Sequence, residues 1–158
     1  MGSSPFLPQP TVKAALLEVF ITEKVPHIRR KACHTVAELA TTCARARQPW
    51  PELMKFVLTA VKGEAADLRA VGLTLLRRVL DYVGSGPAVE FAAPVTEALQ
   101  ARFADADMVV RGRAVQAAVS FVRNTPDAAR DGLQPMVPAM METLQALLNI
   151  NETVAKEV

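Results

Sequence analysis

Three arginines, Arg29, Arg69 and Arg111, stand 40 and 42 residues apart, and each follows an apolar residue, Ile28, Leu68 or Val110. A guanidinium is always charged and presents a planar fork of donors, so its chemistry is pairing with carboxylates or gripping a phosphate-like anion. Recurrence in one register favours pairing. An arginine repeated at the turn of every unit is expected to form a structural ladder, each rung meeting an Asp of the same or a neighbouring unit. Six residues before them stand Glu23, Gly63 and Asp105, so two of the three units carry a carboxylate there, and Asp105 joins the expected ladder.

Other reactive side chains do not assemble. His27 and His34 are seven apart on one helical face with Cys33 between them. Adjacent helical residues point about 100° apart, so His34 and Cys33 do not converge on one ion, and no metal or cofactor is expected. Cys33 and Cys43 lie about 15 Å apart along a helix, too far to bridge, and read as reduced core thiols. No glycine-rich phosphate loop, close carboxylate pair or nucleophile turn is present, so the expectation is that the chain is not an enzyme.

What must position the arginines is a repeating helical unit. After Arg29 the small and apolar residues fall at Ala32, Cys33, Val36, Leu39, Ala40 and Cys43, a stripe of period near 3.6. The same offsets from Arg69 give Gly72, Leu73, Leu76, Val79, Leu80 and Val83. From Arg111 they give Ala114, Val115, Ala118, Phe121, Val122 and Thr125. Steps of 40 and 42 residues match HEAT or armadillo units of about 40 to 47 residues. Aromatics make up only 5% of the chain, and Ala, Leu, Val, Arg and Glu dominate. The predicted class is therefore all-α, an α-α superhelix of HEAT repeats with about three helical hairpins and a partial fourth.

In detail, residues 1–10 are expected to be extended or disordered, with no leader pattern, and 11–158 to form the array. The units are 11–47, 51–83, 87–125 and a partial 134–158, expected to be a piece of a longer solenoid, with a fourth start at Val154 and Ala155. Pro10, Pro26 and Pro51 each suit a first helical turn, where the missing N–H costs nothing. Asp67 is expected to cap the second inner helix. The third outer helix should run unbroken from Ala88 to Phe103, and the fourth should present Val137, Met140, Met141, Leu144 and Leu148 inward.

The run Ile28-Arg29-Arg30-Lys31-Ala32-Cys33, then Val36-Ala37-Glu38-Leu39-Ala40, then Trp50-Pro51-Glu52-Leu53 and Phe56, resembles the third HEAT repeat of the karyopherin-β (importin-β) superfamily, nearest its importin β-three group. The similarity is strongest from Thr11 to Phe56, and the chain would cover roughly the third to fifth repeats. The resemblance implies a nuclear transport receptor of cytoplasm and nucleus. It implies protein partners: cargo on the inner helices, Ran-GTP, Phe-Gly nucleoporins between outer helices, and neighbouring repeats of a longer chain. The alternative is a HEAT scaffold or regulatory subunit unrelated to transport.

Charge is distributed unevenly beneath a net +2. The second helices of the three hairpins carry eleven basic and four acidic residues, and the rest of the chain seven and twelve. An inner face of that sign favours an acidic partner, unlike the acidic inner surface of importins that take basic localisation signals. The candidate contact residues on it are Arg30, Lys31, His34, Arg77, Arg78, Arg113 and Gln116. Without exposed aromatics among these cations, nucleic acid is disfavoured, and no apolar run is long enough to span a membrane. Trp50, with Phe56 or Phe91, and Met54, Met136, Met140 and Met141 could form apolar binding grooves, although such residues at helical spacing more commonly pack a core.

Overall fold

In a computed structural model, residues 10–48, 50–83 and 85–150 are described, and every regular element among them is helical. The first hairpin is α1 (Pro10–Thr22) and α2 (Pro26–Arg45); the second is α3 (Pro51–Val61) and α4 (Ala66–Val83). The third comprises α5 (Ser85–Glu90), α6 (Ala92–Phe103) and α7 (Met108–Asn124). A short α8 (Asp127–Arg130) and a 3-10 helix (Asp131–Met136) lead into α9 (Val137–Ile150). The expectations for residues 1–9 and for the start at Val154 and Ala155 lie outside the described residues.

The helix ends follow local chemistry. Pro26 and Pro51 occupy first turns, and Asp107 caps α7 by accepting from Val109 N at 2.8 Å and Val110 N at 3.1 Å. α2 ends two residues before Arg47, in a Schellman turn: Gln48 N donates to Cys43 O at 2.8 Å and Arg47 N to Ala44 O at 3.0 Å. Arg47 takes the left-handed position at φ 54°, where glycine is usual.

Three local expectations are corrected. The third outer helix breaks at Phe91 into α5 and α6, because Pro94 has no N–H for the Glu90 carbonyl and its ring crowds that oxygen. Asp67 lies inside the first turn of α4 rather than capping it. On α9 Met140 and Leu144 of the expected stripe pack against the core and Thr143 and Leu147 join them, while Val137, Met141 and Leu148 are exposed. Packing against α6 and α7 sets this rotation of the helix.

The core is one continuous cluster from Phe20 to Met136. Its floor is the stripe after each arginine: Cys33, Val36 and Ala40, then Leu73, Leu76 and Leu80, then Val115, Ala118 and Phe121, all buried. α2, α4 and α7 pack side by side more extensively than α3 and α6 do. The layer with the closer spacing lies inside the curve, so these second helices, the B helices, line the concave side. Burial at the position before each arginine rises along the array, from Ile28, 39% exposed, through half-buried Leu68 to fully buried Val110.

Three residues after each arginine comes a small, buried one, Ala32, Gly72 or Ala114. At Gly72 the outer helix α3 approaches closely: a Cβ there would lie 2.9 Å from Val61 N and 3.0 Å from the Ala60 carbonyl carbon. Gly72→Ala should therefore destabilise the chain by about 1 to 3 kcal/mol, although helix propensity alone would stabilise it by about 1 kcal/mol. Urea unfolding reads the sign, and a raised midpoint would mean that α3 and α4 separate without cost.

Candidate functional site

The ladder arginines lie at the turn ends of the B helices, and Arg29 and Arg69 bind forward, into the next repeat. Arg29 Nη1 pairs with Asp67, and Arg69 grips Asp105 with two bonds, Nε to Oδ2 at 2.8 Å and Nη2 to Oδ1 at 2.9 Å. The position six residues before contributes its backbone instead: Gly63 O receives Arg69 Nη1 at 3.1 Å, and Asp105 O receives Arg111 Nε at 2.5 Å. A glycine there loses nothing. Glu23 turns inward on its own loop and accepts from Val25 N at 2.8 Å.

Asp105 is the hub of this network. It also receives Arg102 Nη1 at 2.9 Å and its own loop's Asp107 N at 3.0 Å, and its side chain is 3% exposed. Burial pushes its pKa up, but hydrogen bonds from Arg69 and Asp107 N and the nearby guanidinium charges outweigh that and hold it below the ordinary 3.8. Asp67 is held low chiefly by its bond from Arg29, but it is 65% exposed, so solvent screens that pair.

Four of the candidate contact residues, Arg30, Arg77, Arg78 and Arg113, line one groove of about 470 Å³ that runs across α2, α4 and the first turns of α7. Ala70, Val71 and Val109 are apolar members of its lining. Lys31 and His34 are exposed on α2 and do not line it. His34 Nδ1 lies 2.9 Å from Arg78 Nη1, and since arginine only donates, that nitrogen accepts. Gln116 Oε1 accepts from Arg113 Nη1 at 3.0 Å. Cys33 is also at the groove, but burial pushes its thiol up to about 11 against the opposing pull of Arg78 and Arg77, which leaves it un-ionised at neutral pH. Two groove members absent from the sequence-based candidates are Asp67 and Asp107. They sit two and four residues before their arginines, so no common spacing marks them.

A second, apolar cavity of about 230 Å³ opens between the amino ends of α3 and α5 and the carboxyl ends of α2 and α4, lined by Trp50, Met54, Val79 and Phe91. Lys13 Nζ stands 5.3 Å from the Trp50 ring centre. Phe56 is elsewhere, edge-on to Phe20 with centroids 5.4 Å apart. The methionines separate: Met54 lines this cavity, Met136 is core, and Met141 is 63% exposed. Among the described residues no cluster of His, Cys, Asp or Glu is placed to hold a metal, and no helix is long and apolar enough to cross a membrane.

Residues 24–156 match the family model described as IPO5-like, TPR repeats. TPR units repeat at about 34 residues; the steps of 40 and 42 here are those of HEAT units. The chain is 25% identical over 139 residues to importin subunit beta-3 of Saccharomyces cerevisiae, covering 87% of this chain and 12% of that protein. It is 25% identical over 146 residues to a probable importin-5 homolog of Dictyostelium discoideum, covering 89% and 13%. A crystal structure of the karyopherin Kap121p bound to the SUMO protease Ulp1p superimposes with a TM-score of 0.69 at 25% identity, over 87% of this chain and 13% of that one. The chain thus spans about an eighth of the length of these relatives.

Removing the Asp105 charge tests the hub. Asp105→Asn should cost about 3 kcal/mol, because it strands Arg69 and Arg102 in a mostly buried setting. With the folded pKa below 3.8, the wild-type contribution is present above about pH 4 and is lost as pH falls through the folded value. Thermal unfolding at pH 7 and pH 3 should show the variant's deficit shrinking at the lower pH. A deficit equal at both would contradict the charge pairing.

Proposed function

This chain belongs to the IPO5-like family of the importin-β superfamily, and on that premise we propose that it is a non-enzymatic protein-binding segment of a nuclear transport receptor that moves between cytoplasm and nucleus. The observation that carries the reading is the match of residues 24–156 to that family on a stack of helical hairpins. Kap121p, a relative of the same architecture, is known bound to a protein, Ulp1p, which supports protein partners for this chain as well.

Within that reading the two cavities divide the work. Cargo engages the concave B-helix side, where Arg30, Lys31, His34, Arg77, Arg78, Arg113 and Gln116 stand. The cavity at Trp50 and Phe91 suits a Phe-Gly nucleoporin, because an apolar cleft of about 230 Å³ between helix ends accepts one aromatic ring. Ran-GTP is bound by the receptor of which these repeats form a part.

Two measurements test this. Full-length receptor should retain Ran locked in its GTP form and release it in the GDP form; equal retention, or none, would remove the transport reading. Trp50 is the single tryptophan, so a Phe-Gly peptide should shift the intrinsic fluorescence of the chain. An unchanged spectrum at saturating peptide would exclude the Trp50 cavity.

A further inference from the structure

The groove on the B-helix side holds cations that the fold leaves unused. Five arginines line it, counting Arg29, against two carboxylates, Asp67 and Asp107. Asp67 is taken by Arg29, and Asp107 spends its oxygen on the amides that begin α7. Arg113 donates to the neutral Gln116 amide, and Arg78 faces His34, which accepts only as the neutral ring. Arg30 and Arg77 have no ion-pair partner among the described residues, and the Nε atoms of Arg77 and Arg78 are buried without a hydrogen-bond acceptor. A guanidinium fork is matched by a carboxylate, and several held close together around an unmatched donor set favour an anionic chain over a single ion.

We propose that this groove binds an acidic peptide segment, whose Asp or Glu carboxylates pair with Arg30, Arg77, Arg78 and Arg113 while its intervening apolar side chains rest on Ala70, Val71 and Val109. The partner is a peptide rather than RNA, because no aromatic side chain lines the groove for a base to stack on, whereas its apolar lining residues suit aliphatic side chains. The proposal rests on the reading of this chain as a protein-binding segment, and it names the partner's chemistry: opposite in sign to a basic localisation signal. Association should be steered by charge and weaken as salt rises.

The test is fluorescence anisotropy of the chain with a labelled peptide of alternating Glu and Leu, beside a Lys and Leu peptide of the same length and a single-stranded uridine RNA. The Glu peptide should bind and the Lys peptide should not. The double substitution Arg77→Glu with Arg113→Glu should weaken binding by about tenfold or more, as expected for losing charge-assisted hydrogen bonds. Arg45→Glu, outside the groove at the end of α2, should leave binding unchanged. If charge reversal lowers helicity by circular dichroism, Arg30→Gln with Arg113→Gln carries the same expectation of weakened binding. No binding of the Glu peptide, tighter binding of RNA, or full affinity in the folded groove variants would each overturn the proposal. Binding of the Glu peptide by a receptor that ignores Ran would sink the transport reading and leave this site standing; Ran binding without Glu-peptide binding would do the reverse.

Discussion

A carboxylate with 3% of its side chain in water survives only when its charge is answered, and Asp105 is answered three times over: by Arg69 of the preceding hairpin, by Arg102 of the outer helix before it and by an amide of its own loop. The pair with Arg69 crosses from one repeat to the next, so it sets the rotation of α4 against α7 as well as their distance. Hydrophobic contact alone does not do this, because apolar stripes tolerate sliding by a turn, whereas a two-bond fork has one geometry. Arg29 and Asp67 repeat the device one unit earlier in a wetter setting. The B layer is thus indexed at its turn ends, and Arg123 with Asp81 at 2.9 Å ties α7 to α4 toward the other end.

That indexing has an electrostatic consequence. The acids near the turn ends are committed to framework contacts, with Asp67, Asp105 and Asp107 all engaged by guanidinia or helix amides. Arg30, Arg77, Arg78 and Arg113 of the same helices gain no carboxylate and line one groove on the concave side. The groove is therefore positive because the scaffold has consumed its counter-charges. About 100° of helix rotation separates Arg29, which is paired with Asp67, from Arg30, which has no ion-pair partner among the described residues.

The outer layer is looser and more irregular. Pro94 divides the third outer helix, and the carboxyl ends of α2 and α4 diverge enough to leave the cavity at Trp50. Lys62 and Glu97, 3.3 Å apart and well exposed, join α3 to α6 with an interaction that water largely screens. The curve of the array follows from this difference: extensive, ion-paired contacts between inner helices on one side, fewer and more weakly tied ones on the other.

The periodicity of the chain determined the helical hairpins, their phase and the identity of the buried stripe, because burial of one face per helix is a one-dimensional pattern that spacing alone displays. Prolines likewise marked Pro26 and Pro51 as helix starts, since their chemistry is local. Only the tertiary structure decided which carboxylate each ladder arginine meets, because Asp67 and Asp105 stand at different offsets from their own repeat's arginine and come into register through space. It also set the rotation of α9, which buries Thr143 and Leu147 and exposes Val137, Met141 and Leu148, and it brought Arg30, Arg77, Arg78 and Arg113 to one groove while leaving Lys31 and His34 outside. Those outcomes depend on rotation and spacing between helices, which no single segment encodes.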